Sequence, residues 1–426
     1  MVEMSLTVAL VLAATVVLLL SCLMRRKRRL GEPPLEQGWI PLFGKAFEFH
    51  RDSSGFLVSC QQKWGDIFTV YIAGKYITFV LNPFLYQFVV QNKQLDFQEF
   101  SLAISARTFG HPYLNDAKVP VSSEEIQKQY SYLMGEELNN LVESAMKNLQ
   151  SVLKQEQMGP TDWKVESMLD FCCRIIIETT YISLYGMAPQ NEHKQITELR
   201  EKFLKFDKMF PYLVAGIPIE FLGNTKMMRK ELISYFTSRN LDQRLNMAKI
   251  IKERKNFLEG HSYLQDHQRA GSAIKESLRL CSFSMNIRTA QEDVTLTFKE
   301  EQRVKLRKGD WIALYPHILH MDPEVYENPE VYKYNRFVEN GMEKTAFYKG
   351  GRKLRYYLMP FGSGSSMCPG RHFAVNEIKI FLSIILASFD VEIVEGEKSV
   401  GLANDRAGLG ILFPDSDVQF RYKWHQ

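Results

Sequence analysis

Apolar residues recur along this chain with two different spacings, and each spacing predicts its own kind of element. From Leu138 to Leu153 and from Met168 to Tyr185 they return at three and four, the period of a helix with one buried face. From Ile67 to Leu81 apolar and polar residues alternate on either side of Ala73-Gly74-Lys75, which predicts a β-hairpin. A second strand-rich patch, Val294 to Tyr315, is punctuated by a turn signal at Gly309-Asp310. Further on, Ala374, Ile378, Phe381, Leu382 and Ile385 share one face of another helix. Helical spacing dominates the remainder, with no internal repeat and no low-complexity linker. The pattern predicts one domain, mainly α with small β-sheets, over residues 46–426.

The first residues follow neither pattern. Ser5 to Met24 carries no charge and is dominated by Leu, Val and Ala. As a helix it would be about 30 Å long, enough to span a bilayer. The run Arg25-Arg26-Lys27-Arg28-Arg29 follows it, whereas a cleaved signal peptide places its charge before a shorter apolar core. Residues 1–29 are therefore expected to be an uncleaved membrane anchor with a basic stop, which leaves the rest of the chain cytosolic. Pro33, Pro34 and Pro41 make residues 30–45 a stiff, extended connector. Phe203 to Leu222, rich in Phe, Met, Leu and Ile but broken by Pro211, Gly216 and Pro218, suits either a core-facing loop or a segment dipping into the membrane.

Composition narrows the function classes. The chain has 426 residues, 45% hydrophobic and 24% charged, so it is globular rather than disordered. Its 53 basic against 49 acidic residues give a net charge of +4, too small an excess to imply nucleic acid, and no nucleic-acid-binding motif is present. The six cysteines, Cys22, Cys60, Cys172, Cys173, Cys281 and Cys368, form neither a disulfide framework nor a C-x-x-C metal site. A reducing compartment is the simpler reading.

One cysteine has unusual surroundings, in Pro360-Phe361-Gly362-Ser363-Gly364-Ser365-Ser366-Met367-Cys368-Pro369-Gly370-Arg371. The loop opens a helix, and a helix N-terminus favours thiolate over thiol, making Cys368 a suitable ligand for iron. Gly362, Gly364 and Gly370 remove side chains where a flat macrocycle would pass close to the backbone, and Phe361 could shield the sulfur. The spacing of Phe361, Gly364, Cys368 and Gly370 resembles the signature of the cytochrome P450 superfamily, the haem-thiolate monooxygenases. That resemblance implies haem b as cofactor, with Cys368 as metal ligand and Phe361, Gly362, Gly364 and Gly370 as its cradle. It also implies that Glu276, Arg279 and Arg336 form a buried structural network, and that Arg288 pairs with a haem propionate. No catalytic side chain is assigned. Two departures stand out: Ser366 replaces an arginine or histidine common in the family, and no Trp-x-x-x-Arg is found earlier. Lys128 or Tyr130 could substitute as propionate partner, although a solvated Lys on a helix face is the simpler reading.

The resemblance covers nearly the whole chain and is closest to the sterol 7α-hydroxylases, of cholesterol and oxysterol types. Gly31-Glu32-Pro33-Pro34-Leu35, Gly74-Lys75-Tyr76-Ile77-Thr78-Phe79, Ile274-Lys275-Glu276-Ser277-Leu278-Arg279-Leu280 and Tyr357-Leu358-Met359-Pro360-Phe361-Gly362 carry it. Ala407-Gly408-Leu409-Gly410-Ile411-Leu412 is similar to the cholesterol type, and Pro414-Asp415-Ser416-Asp417-Val418 to the oxysterol type. It implies 7α-hydroxylation of a sterol at the endoplasmic reticulum membrane, with electrons from NADPH through a separate cytochrome P450 reductase. Lys349, Arg352, Lys353 and Arg355 could dock such a flavoprotein or simply form a solvated loop. The family's oxygen-activation helix has no counterpart: the polar stretch ending at Gly271 runs straight into Ser272-Ala273-Ile274, as if residues were skipped near 271–272. Glu178-Thr179-Thr180 imitates its acid–alcohol pair but lies too early. The alternatives are an isomerase or dehydratase of an oxygenated lipid, and an inactive membrane-bound variant.

Overall fold

The computed structural model describes residues 25–40, 43–110, 130–155, 163–187, 192–241, 243–252, 272–298, 303–394, 400–406 and 408–425, with Val8, Val11, Leu12 and Thr15. The expected anchor before residue 25 otherwise lies outside the described residues, as do Lys128 and residues 253–271 beside the expected join. Among the described residues no helix is long and apolar enough to cross a membrane.

The hairpin forms from Ile67–Ile72 and Lys75–Val80, paired antiparallel from Ile67 with Val80 to Ile72 with Lys75. Ala73 and Gly74 both have positive φ, the combination that lets a two-residue turn follow the twist of its strands. The hairpin lies in a six-stranded sheet, ordered Leu35–Glu36, Ile67–Ile72, Lys75–Val80, Trp311–Leu314, Asn286–Ala290 and Leu95–Asp96. Its alternation fills two cores. Phe68, Val70, Ile77, Phe79 and Ala313 face one, while Ile67, Val80, Ile312 and Leu314 face the other. The strand-rich patch from Val294 divides between sheets: Val294–Thr297 and Arg303–Leu306 make a separate hairpin, and only Trp311–Leu314 joins the large sheet.

The helical side holds Gly135–Lys154, Met168–Tyr185 and Arg371–Ser388, matching the three spacings read from the sequence. They meet at Leu149, Val152, Phe171, Ile175, Phe381 and Ile385, together with Phe389, Phe420 and Tyr422 of a three-stranded sheet. The third helix is not fully covered. Val375 and Ile378 are half-buried, and Leu382 and Leu386, one turn further each, are 41% and 67% exposed. At spacings of three and four these residues form a single apolar stripe.

The basic run after residue 24 is built into the fold. Arg26 donates twice to the Asp310 carboxylate at 2.6 Å, bonds Glu32 at 3.2 Å and lies 4.8 Å over the Tyr76 ring. Arg307 closes the other side of Glu32, and Lys305 N–H donates to Gly31 O at 2.9 Å. The connector is a strap laid on the sheet. Burial pushes the Glu32 carboxyl up, but the Arg307 bond, the Arg29 N–H and the Arg26 charge outweigh it and hold it at about 2.

Candidate functional site

The Cys368 loop returns on itself between sheet and helix. Cys368 N–H donates to Phe361 O at 2.8 Å, closing the Gly-rich segment into one turn of chain. Gly362 and Gly364 have positive φ, and a Cβ on Gly364 would stand 2.6 Å from Val90 Cγ1, so both the conformation and the space require glycine there. Gly370 has an ordinary φ and serves as the helix N-cap. Cys368 sits two residues before that cap, slightly farther from the first turn than expected, and is the only exposed cysteine among the described residues. Cys60 is buried, and Cys172, Cys173 and Cys281 are half-buried with thiols pushed up by burial, Cys172 to about 11. On accessibility Cys368 is the one suited to bind a metal. Phe361, Gly362 and Met367 also border a cleft of about 340 Å³ with Leu278, Met359 and Val375.

Arg288 lies beside the loop on the strand Asn286–Ala290. It is 3% exposed, yet its guanidinium donates only to carbonyls, Ile287 O at 2.8 Å and Ser363 O at 3.0 Å. Among the described residues no carboxylate forms an ion pair with it. The Asp96 charge acts on it only from beyond ion-pair distance, and its guanidinium lies 5.6 Å over the Phe97 ring. A buried cation with no carboxylate in contact is costly, so this site fits a carboxylate-bearing cofactor such as haem. Ser366, in place of the family's usual basic residue, turns inward and donates to Ser363 O at 2.9 Å.

Glu276 and Arg279, both 0% exposed, meet through a two-pronged pair at 2.8 and 2.9 Å on the helix Ser272–Cys281. Arg336 Nε bonds the same carboxylate at 2.8 Å, and Lys333 N–H adds a bond at 3.1 Å. Burial raises the Glu276 carboxyl, but the arginine and backbone bonds outweigh it and hold it below the usual range. Arg279 reaches on to His320 O and Pro329 O, both at 2.5 Å. His320 Nε2 in turn accepts from Met359 N–H at 3.2 Å, where the Cys368 loop begins. Burial, then the neighbouring His317 and Arg279, push His320 down to about 3, so its imidazole is neutral and free to accept. The network thus runs from Glu276 through the Arg279 guanidinium, the main chain and imidazole of His320, and the Met359 N–H to the loop.

Other expected residues divide. Glu178-Thr179-Thr180 lies inside the helix Met168–Tyr185, with Thr180 donating to Glu377 at 2.5 Å, which ties two core helices together. Of the basic cluster, Lys349 pairs with Asp322, Arg352 stacks 3.9 Å over Phe84, and Arg355 lies over Tyr356, while Lys353 is exposed. Tyr130 begins the 3-10 turn Tyr130–Leu133. Asn286, Ser363 and His320 were missed by sequence reasoning. Asn286 had a signal, since strand alternation places it on the face of Arg288; His320 had none.

The family model described as "Cytochrome P450" matches residues 33–270 and 262–420. "Cytochrome P450 7B1" of Mus musculus is 39% identical, covering 97% of this chain and 95% of that protein. "Cholesterol 7-alpha-monooxygenase" of Cricetulus griseus is 35% identical, covering 94% and 95%. "25-hydroxycholesterol 7-alpha-hydroxylase" of Rattus norvegicus is 36% identical, covering 79% and 98%. Among solved structures, retinoic-acid-bound cyanobacterial CYP120A1 matches 93% of this chain and 100% of that one, with TM-score 0.62 and 15% identity, a likeness of fold. By the family match and these relatives the chain, with its closed cysteine loop, belongs to the cytochrome P450 family, whose cofactor is haem iron.

Proposed function

We propose that this chain is built as a haem-thiolate monooxygenase that hydroxylates a sterol at the 7α position, with Cys368 as the iron ligand. The observation that carries the chemistry is the exposed Cys368 at the end of a loop closed on Phe361. The names of relatives 35–39% identical over most of the chain carry the substrate class. When bound, the haem supplies oxygen activation with two electrons, and the thiolate ligand favours O–O cleavage. The protein's own part is placement. Phe361 and the glycines shape the approach to the ring, Arg288 holds a propionate, and the Glu276–Arg279–Arg336 network fixes the loop.

Electrons come, in this reading, from NADPH through a separate reductase, and residues 1–29 anchor the chain in the endoplasmic reticulum membrane with the domain cytosolic. Exposed apolar residues at Phe203, Tyr212, Ile217 and Phe221, the last 80% exposed, support contact between the segment 203–222 and lipid, from which a sterol would enter. A helix is missing near 271–272. The family match falls into two pieces that overlap at residues 262–270, just before that point, and the alignment with the murine relative spans 487 positions against 426 residues in the chain. The exposed stripe Val375–Ile378–Leu382–Leu386 supports the same reading, and low activity follows from it.

The test is the reduced, carbon-monoxide-treated spectrum, followed by turnover of cholesterol and of 25-hydroxycholesterol with and without reductase. A thiolate band with reductase-dependent 7α product is expected from a form carrying the missing segment, and weak or no product from the 426-residue chain. Lack of a thiolate band in both forms would overturn the assignment of Cys368.

A further inference from the structure

Asn286 and Arg288 are two apart on one strand, so their side chains leave it on the same side, against the Cys368 loop. Asn286 is 5% exposed. Its Oδ1 accepts from Ser363 Oγ at 3.0 Å, and its Nδ2 has no hydrogen-bond partner among the described residues. Two strong donors therefore sit buried side by side, one an amide that donates to nothing, the other a cation paired only with carbonyls. Each is costly to leave unmade, and a single carboxylate would satisfy both. A water molecule would quiet the amide but give Arg288 no carboxylate in contact, leaving it only the more distant charge of Asp96. Ser366 cannot contribute, because its hydroxyl is already committed to Ser363 O.

We propose that Asn286 and Arg288 together form a carboxylate seat, in which Asn286 Nδ2 donates to a haem propionate alongside the guanidinium. The assignment rests on the haem reading of the Cys368 loop. It makes Asn286 a cofactor-holding residue that replaces the basic side chain absent at Ser366.

The experiment compares haem with haem dimethyl ester, in which both carboxylates are blocked, in wild type, Asn286→Leu and Asn286→Gln. Cofactor loss is followed by transfer to apomyoglobin, and the carbon-monoxide band reports thiolate ligation. Wild type is expected to hold haem longer than the ester. Asn286→Leu should lose haem about ten- to a hundredfold faster, as for a lost bond to a charged acceptor, while its loss of the ester is unchanged. Asn286→Gln, which keeps the amide, should recover much of the difference. Equal acceleration for haem and ester in Asn286→Leu would overturn the seat and leave Asn286 a packing residue. Equal retention of haem and ester by wild type would overturn it without any variant. A thiolate band in either case keeps the haem reading intact; failure to take up either cofactor by both the 426-residue chain and the form carrying the additional segment overturns that reading and this assignment with it.

Discussion

Cys368 offers the sharpest single substitution. It alone among the described cysteines combines exposure with a Gly-rich approach, so Cys368→Ala should abolish the thiolate–carbon monoxide band, while Cys172→Ala leaves it in place. Glu276 acts on the fold. Replacing it with Gln removes the counter-charge of Arg279 and Arg336 in a dry interior, which should cost about 3–5 kcal/mol in urea unfolding. Glu377 gives the opposite pH signature. Burial pushes its carboxyl up to about 7, against the Thr180 bond that lowers it, so the native state holds a proton that the unfolded chain has lost. Its contribution is fully present below about pH 4.5 and fades as pH rises through about 7. Glu377→Gln should therefore be more stable than wild type at pH 8, by about 1–3 kcal/mol, with no gain at pH 4.

At the scale of elements, periodicity was a sound guide where one face is buried. The hairpin, the helices Gly135–Lys154 and Met168–Tyr185, and the helix after Cys368 all fall where the spacing puts them. The patch after Val294 was harder, because alternation marks a strand but not its partner; Trp311 pairs with Ile77 more than two hundred residues away. The site was legible to the same extent. The cysteine and its glycines are local in sequence, whereas the His320–Met359 bond and the free Asn286 amide arise only when distant segments meet. The exposed stripe makes its own prediction. Leu386→Lys should reduce aggregation of the 426-residue chain without lowering its melting temperature, since that side chain is 67% exposed. In a form carrying the proposed additional helix, the same change is expected to destabilise.

At the scale of the whole molecule, the proposed anchor makes its own prediction. Deleting residues 1–29 should move the protein toward the soluble fraction, with residual association through the exposed Phe221 region; unchanged resistance to carbonate extraction would contradict a single anchor. The same deletion removes Arg26, so it should also lower the melting temperature, an effect that Asp310→Asn reproduces with the anchor intact. That coupling has a mechanical side. A domain hung on a slack tether swings freely over a bilayer, and changes in lipid thickness or tilt are lost in the slack. Here the grip on Asp310 and Glu32 begins at Arg26, two residues past the apolar run, so almost no slack is left. In the proposed membrane-anchored form, tilt of the segment before Arg25 would be passed to the sheet as torque, and the membrane would set the height of the proposed sterol entrance.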